Sequence, residues 1–180
     1  MELRPHESSP SIAVTVRASL EVVRAEVRLR FDIEGDLAAL SIPPPSREPA
    51  RCDRLWEHTC VEAFVGPADG ASYLEVNLSL SGDWAVWSFD AYRDGMRPAE
   101  HVSKLDVQGS HAPRALRLET SIPLPSSAGW HDTKLRAGLA AVLESIDGRF
   151  SYWACAHPSP KPDFHAREGW PLLVYATAPA

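Results

Sequence analysis

The sequence predicts an all-β fold, an antiparallel sandwich or barrel of about ten short strands with at most short helical turns. Three observations support this prediction: apolar and polar residues alternate in short runs, turn-forming pairs such as SG and DG separate the runs, and 16 prolines are spread through 180 residues. Alternation with a period of two is typical of a half-buried strand. Proline at this density disfavours long helices.

The individual elements follow from this alternation. The clearest strands are predicted where apolar side chains occupy every second position, at residues 11–17, 26–32, 74–80 and 116–122. Weaker alternation predicts five further strands, at residues 59–65, 83–89, 137–144, 151–156 and 172–175. Residues 18–24 and 135–143 could instead form short helices. The polar, proline-rich stretches 43–54 and 157–169 are predicted to be loops.

Length and composition exclude several classes of protein. We expect one domain at residues 10–176, preceded by an N-terminal tail of residues 1–9. A formal net charge of −6 argues against nucleic acid as a partner. No stretch approaches the ~18 apolar residues of a membrane span, and the N-terminus lacks the apolar core of a signal peptide. Three cysteines without framework spacing favour reduced thiols, so we expect a cytoplasmic protein without a membrane partner. The oligomeric state stays open.

Residues 56–62, at the start of a predicted strand, bring together aromatic, imidazole and carboxylate side chains that could bind a ligand. Trp56 could offer a face on which a sugar ring stacks, while His58 and Glu62 could hold its hydroxyl groups. A regular strand from Trp56 onward would place all three side chains on one face of the sheet. The alternatives are that Trp56 closes the core and that Glu62 is a surface carboxylate paired with an arginine.

A second such segment begins at Trp153 and runs into the predicted loop. Trp153 is the second candidate for sugar stacking, and the polar residues after it, His157, Lys161, Asp163 and His165, are candidates for polar contacts. Imidazole and carboxylate groups also suit Zn²⁺ or Fe²⁺, although the spacing matches no strong metal motif. Three prolines between these residues would stiffen the loop.

The other tryptophans and the cysteines favour packing roles. Trp84 and Trp87 must point to opposite faces of one strand, so at most one of them serves a site. Trp130 and Trp170 are interpreted as packing anchors. Cys60 could form a thiolate–imidazole pair with His58, but a buried, inert thiol is the simpler interpretation.

Four runs carry a resemblance to a known family: RCDRLWEHTCVEAFV (51–65), YLEVNLSLSGDWAVWSFDAYRDGM (73–96), GLAAVLE (138–144) and DGRFSYWACAHPSPKPDFH (147–165). Over about residues 10–175 the chain resembles a bacterial branch of DOMON-like domains, which are similar to family 9 carbohydrate-binding modules. The resemblance implies an immunoglobulin-like or jelly-roll β-sandwich. Relatives bind a sugar between two tryptophans with polar partners, or a haem through Met and His ligands. Trp56 and Glu62 match the spacing of the sugar-binding pattern.

Together these observations predict a domain that binds a small saccharide or a glycan-derived metabolite without catalysis. Trp56 and Trp153 would stack on the sugar, and the polar contacts would come from His58, Glu62, His157, Lys161, Asp163 and His165. The alternative is a haem- or metal-binding domain, for electron transfer or metal-dependent catalysis, that uses His58, His157, Asp163 and His165. The cofactor is left unassigned, with haem or a structural calcium ion both open.

Overall fold

The computed structural model describes residues 1–127 and 129–177, and strands dominate this part of the chain. Two antiparallel sheets pack into a sandwich, which confirms the predicted all-β class. The larger sheet has eight strands in the order β1-β11-β10-β4-β5-β6-β7, with β12 also paired to β10. Its strands are β1 (Arg4–Pro5), β4 (Cys60–Pro67), β5 (Tyr73–Ser79), β6 (Trp84–Phe89), β7 (Arg97–Pro98), β10 (Thr133–Glu144), β11 (Phe150–Ala154) and β12 (Leu172–Ala176).

The smaller sheet has four strands in the order β2-β3-β9-β8. These strands are β2 (Val14–Val23), β3 (Glu26–Gly35), β8 (Gln108–Ala112) and β9 (Ala115–Pro123). Alternation fixes which face of this sheet is buried, since Leu29, Phe31 and Ile33 of β3 are almost fully buried while Glu26, Arg28 and Glu34 are exposed.

The main hydrophobic core lies between the two sheets. Each central strand of the larger sheet contributes every second side chain to this core, for example Val61 and Ala63 from β4 and Leu74 and Val76 from β5. The remaining side chains of those strands point to the opposite face, which we call the outer face. The outer face is also buried over much of its area, because every residue of β5 is buried.

Short helical structure is limited, in the described residues, to three single 3₁₀ turns at Leu37–Ala39, Leu55–Glu57 and Arg167–Gly169. Both segments for which helices were considered are strands: residues 18–24 lie largely in β2, and 135–143 lie in β10. The unbroken apolar run of β10 reflects burial on both faces, which hides the period of a strand. No helix in the described ranges is long and apolar enough to cross a membrane.

Three short strands, β1, β7 and β8, were not among the expected elements. Residues 1–9, which the sequence analysis assigns to a tail, supply β1, and Arg4 and Pro5 pair with Ala154 and Trp153 of β11. Leu3 is 2% exposed and belongs to the main core. The tail segment therefore packs along the edge of the larger sheet.

Candidate functional site

A cavity of about 630 Å³ opens on the outer face of the larger sheet. Strands β4, β5, β6, β10 and β11 contribute residues to it, and the rest come from the 3₁₀ turn before β4, the segment between β6 and β7, and the loop after β11. Its apolar lining consists of Trp56, Phe89, Met96, Val142, Tyr152, Pro162 and Phe164. Its polar lining consists of Glu62, Glu75, Arg93, Lys161 and His165.

Strand register brings the two carboxyl groups of this cleft to the same face. Glu62 on β4 pairs with Asn77 on β5, and Glu75 lies two residues before Asn77. Residues two apart on a strand share a face, so Glu62 and Glu75 are diagonal neighbours on adjacent strands. Both are nearly excluded from water, with 4% and 5% of their surface exposed.

Glu62 has little hydrogen-bonding support for a negative charge. Its recorded partner is the thiol of Cys60, whose Sγ lies 3.5 Å from Oε1 and is a weak donor. Burial and the neighbouring Glu75 carboxylate raise the pKa of Glu62 to about 8, against the smaller opposing effects of Cys60 and Arg93. The protonated form of Glu62 is therefore favoured at neutral pH.

Glu75 is better supported than Glu62. Asn77 Nδ2 donates a hydrogen bond of 2.8 Å to Glu75 Oε1, and His165 Nε2 lies 3.5 Å from Oε2. Burial still raises the pKa of Glu75, although Asn77 and Arg93 oppose the shift. The two carboxyl groups thus form a buried pair that resists a double negative charge.

A chain of hydrogen bonds orients His165. The backbone N–H of Arg93 donates to the Tyr73 hydroxyl oxygen at 3.1 Å, and that hydroxyl lies 2.7 Å from His165 Nδ1. Because this hydroxyl already accepts from Arg93, donation of its own proton to Nδ1 satisfies both groups, and the matching histidine tautomer carries its proton on Nε2, facing Glu75. Burial and the Arg93 charge lower the pKa of His165 to about 4, so the ring is neutral near pH 7.

Asp163 fixes the position of Arg93 rather than lining the cavity. Its carboxylate accepts hydrogen bonds from Tyr92 Oη at 2.7 Å, from Arg93 Nη2 at 3.0 Å and from the His165 backbone N–H at 3.2 Å. Burial opposes ionisation, but the hydrogen bonds from Tyr92 and Arg93 lower the pKa of Asp163. Asp163 therefore joins the turn after β6 to the loop after β11.

Trp56, which lines the cleft, packs against a second tryptophan. Trp56 lies in the 3₁₀ turn Leu55–Glu57, which follows Arg54 in a left-handed conformation (φ 60°). The Trp56 ring contacts Trp87 edge to face, with centroids 6.5 Å apart and planes at 70°. Both side chains are half-buried. The Trp87 Nε1–H is shielded from water and has no acceptor among the described residues.

Half of the predicted site residues line the cavity. Trp56, Glu62, Lys161 and His165 lie around one space, and Asp163 binds Arg93 at its edge. The other three predicted residues, His58, Trp153 and His157, lie elsewhere.

His58, Trp153 and His157 each make different contacts. The His58 side chain is 71% exposed and its Nδ1 lies 3.0 Å from Glu144 Oε2. Trp153 is buried in the core between the sheets, since its neighbour Tyr152 takes the position facing the cleft. His157 Nε2 donates to the carbonyl oxygen of Arg4 at 2.9 Å, at the edge of the sheet.

Two cavity-lining residues, Glu75 and Arg93, were not among the site residues predicted from the sequence. Glu75 occupies a polar position of the alternating run LEVNLSL, and in a half-buried strand such positions are expected to face solvent. A signal was present in Asn77, because a carboxylate and an amide two residues apart on a central strand can support each other. Arg93 lies in a turn with left-handed backbone (φ 54°), and nothing in its local sequence indicates the site.

In the described part of the chain, no group of three or more His, Cys, Asp or Glu side chains is arranged to hold a metal ion. This statement covers the predicted alternative set of His58, His157, Asp163 and His165. His58 and His157 are engaged with Glu144 and Arg4, whereas Asp163 and His165 are neighbours in the loop over the cleft.

Comparisons with solved structures find carbohydrate-binding proteins with the same fold. A candidate carbohydrate-binding protein from Bacteroides uniformis superposes with a TM-score of 0.69 at 16% identity, covering 96% of this chain and 85% of that one. A family 9 carbohydrate-binding module from Caldicellulosiruptor kristjanssonii in complex with cellotriose gives a TM-score of 0.56 at 9% identity, with coverage of 99% and 84%.

A family 9 carbohydrate-binding module from Caldicellulosiruptor kristjanssonii in complex with glucose gives a TM-score of 0.53 at 9% identity, covering 99% of this chain and 86% of that one. No protein-family model matches the sequence, and no curated protein matches it. At these identities the likeness concerns the fold, which is that of a carbohydrate-binding module.

Proposed function

We propose that the cleft binds a small saccharide, with one face of the sugar ring against Trp56 and its polar groups held by Glu62, Glu75, Arg93, Lys161 and His165. The observation that carries this proposal is the composition of the cavity: aromatic side chains form its walls while two buried carboxyl groups lie on its floor. Sugars need this combination, because their C–H faces pack on aromatic rings and their hydroxyl groups require polar partners.

The size of the cleft and the comparisons support the proposal. A volume of about 630 Å³ falls within the range of small-molecule sites, roughly 300–1,000 Å³. Two of the structures with this fold hold cellotriose and glucose. The quoted sequence runs and this fold together favour assignment to the DOMON-like domains. The proposed role is binding, and Asp163 contributes by positioning Arg93.

Calorimetric titration with glucose and cellotriose tests the proposal on the wild type and on Trp56→Ala. We expect millimolar or tighter binding by the wild type, and a loss of at least about tenfold in the variant because the stacking surface is removed. Tyr175→Ala is the matched control, since Tyr175 is an exposed aromatic residue on β12 outside the cavity lining.

Circular dichroism establishes that each variant is folded. The proposal fails if the folded wild type binds no saccharide at millimolar concentration. It also fails if Trp56→Ala binds as tightly as the Tyr175→Ala control.

A further inference from the structure

Among the residues that the structure describes, no arginine or lysine forms an ion pair with the two carboxyl groups on the floor of the cleft. Glu62 and Glu75 are both buried there; their hydrogen bonds come from a thiol and an amide, and a histidine Nε2 lies 3.5 Å from Glu75. Asn77, directly opposite Glu62, adds a further acceptor, since its buried Oδ1 has no donor among the described residues. Even with a proton on Glu62, the carboxyl and amide oxygens of this floor outnumber the donors that the described residues direct at them.

The cations around the floor are already engaged or lie in solvent. The Arg93 guanidinium is bound to the Asp163 carboxylate through Nη2 at 3.0 Å. Lys161 belongs to the loop over the cleft and is exposed, so water and salt screen its charge. His165 accepts the Tyr73 proton at Nδ1 and is neutral, while Tyr73, Tyr152 and Cys60 contribute no positive charge.

An ammonium group on the ligand would supply what the floor lacks. It carries one positive charge and three N–H donors and has no acceptor. Glu62 offers two carboxylate oxygens with one weak donor between them, and Glu75 Oε2 has a histidine N–H at 3.5 Å as its nearest donor. A sugar hydroxyl could satisfy one oxygen at a time but brings no positive charge, so it could not stabilise both carboxyl groups in their ionised form.

We infer that the saccharide taken by this cleft is an amino sugar with a free, protonated amine, which is received by Glu62 together with Glu75. The inference rests on the proposed function and specifies its ligand class. The surrounding rings of Trp56 and Phe89 add a favourable environment for a cation, since aromatic faces attract positive charge.

Binding of such a ligand exchanges a proton for the ammonium group. In the empty cleft at neutral pH the carboxyl group of Glu62 is protonated, because burial and Glu75 raise its pKa. When the ammonium group arrives, Glu62 loses this proton to the buffer and the carboxylate–ammonium pair forms. Amino-sugar binding should therefore release a proton, whereas binding of an uncharged sugar should not.

Calorimetric titration at about pH 7 tests the inference with three matched sets of ligands. Each set contains an amino sugar (glucosamine, galactosamine or mannosamine), its parent hexose and its N-acetyl derivative, in which the amine is uncharged. We expect at least one amino sugar to bind about tenfold or more tightly than both relatives, as for a hydrogen bond to a charged group. Titrations in Tris and in phosphate measure the protons released.

The variants Glu62→Gln and Glu119→Gln separate the site from general charge effects. Glu62→Gln should lose both the preference for the amine and the proton release. Glu119, on β9 of the other sheet, is the control and should leave both unchanged.

Three results would overturn the inference. Equal binding of the parent hexose leaves the proposed function standing but excludes the amine as the determinant. Retention of the preference in folded Glu62→Gln excludes Glu62 as its receptor. Failure of every sugar in the nine-member panel to bind would overturn the inference and the proposed function together.

Discussion

At the scale of single residues, Glu62 combines a charge-bearing side chain with a position that excludes water. It lies on a central strand between Asn77 of β5 and Ala140 of β10, and only 4% of its surface is exposed. Removing a carboxylate from water favours the protonated form, and the neighbouring Glu75 adds to this effect. A buried acid of this kind costs stability whenever the solution forces it to ionise.

Replacing Glu62 with Gln should therefore make the fold less sensitive to pH. The pKa of Glu62 is raised from 4.5 in the unfolded chain to about 8 in the folded protein. Between these two pH values the folded state therefore binds more protons than the unfolded state. Its contribution to stability is present below the unfolded pKa and is lost as the pH rises towards 8. We expect the free energy of unfolding of Glu62→Gln, relative to wild type, to increase by roughly 1–3 kcal/mol between pH 5 and 8.

Urea denaturation at several pH values measures this difference. His165 acts in the opposite sense, since its pKa is lowered from 6.5 to about 4 and its contribution to stability grows as the pH rises through that range. The interval between about pH 7 and 8 therefore isolates Glu62 best. A difference between the two proteins that stays constant over this interval would contradict the raised pKa.

Part of the site could be predicted from the sequence because Trp56 and Glu62 are only six residues apart, at the start of one strand. Trp56 and Glu62 were proposed together from such a spacing, and both line the cavity. Trp153 could not be placed in the same way. Its face depends on the pairing of β11 with β10, where Trp153 meets Ala141, an inner-face residue, and this register is set by distant parts of the chain.

At the scale of elements, Trp170 is one of the side chains that hold the loop after β11 to the sheet. Trp170, 2% exposed, lies against Gly138 of β10 and donates from Nε1 to the Phe164 carbonyl oxygen at 2.7 Å. Trp170 also stacks on Phe64, with centroids 5.7 Å apart. The loop bears Lys161 and His165, so this contact positions one wall of the cleft.

The substitution Gly138→Ala should disturb the loop through its anchor. A Cβ at this position would overlap the Trp170 indole, so the ring must move. Forcing an extra methyl group into such a packed site typically costs about 1–3 kcal/mol. We expect a loss of this size in the free energy of unfolding, measured in urea, together with weaker saccharide binding.

A control for Gly138→Ala is available at another glycine. Gly109 on β8 has ordinary contact distances around an added Cβ, the nearest atom being Leu118 Cδ2 at 3.4 Å. Gly109→Ala should leave binding unchanged and alter stability much less. If Gly138→Ala binds saccharide as the wild type does, Trp170 does not position the cleft wall.

The elements themselves were predicted well where one face of a strand meets water. The alternation of β3 and β9 indicated their positions from local residues alone, because polar side chains mark the exposed face. In β10 both faces are covered, so the run from Leu135 to Leu143 carried no period and allowed a helix. The two-residue strands β1 and β7 depend on pairing partners, which no local pattern encodes.

At the scale of the whole molecule, the two faces of the larger sheet have different roles: one contributes to the stability of the core and the other carries the proposed binding cleft. Its inner face meets the smaller sheet in the main core, and its outer face carries the cleft. Trp84 and Trp87 illustrate the division within one strand, since Trp84 belongs to the main core and Trp87 contacts Trp56. The same division applies to Trp153 and Trp56, which the sequence analysis placed together as two stacking residues.

The matched substitutions Trp153→Leu and Trp56→Leu should therefore have opposite consequences. Trp153 is 6% exposed, so its truncation leaves a cavity in the core. Its buried Nε1–H has no acceptor among the described residues, so the removal of this group offsets part of the loss. We expect Trp153→Leu to lower the free energy of unfolding by about 1–3 kcal/mol with saccharide affinity within about twofold of wild type. Trp56 is half-buried at the cleft, so Trp56→Leu should change stability by less than about 1 kcal/mol and weaken binding at least about tenfold. Urea denaturation measures the stability of both variants, and calorimetric titration measures their saccharide affinity. A large loss of affinity in folded Trp153→Leu would show that the two faces are not independent.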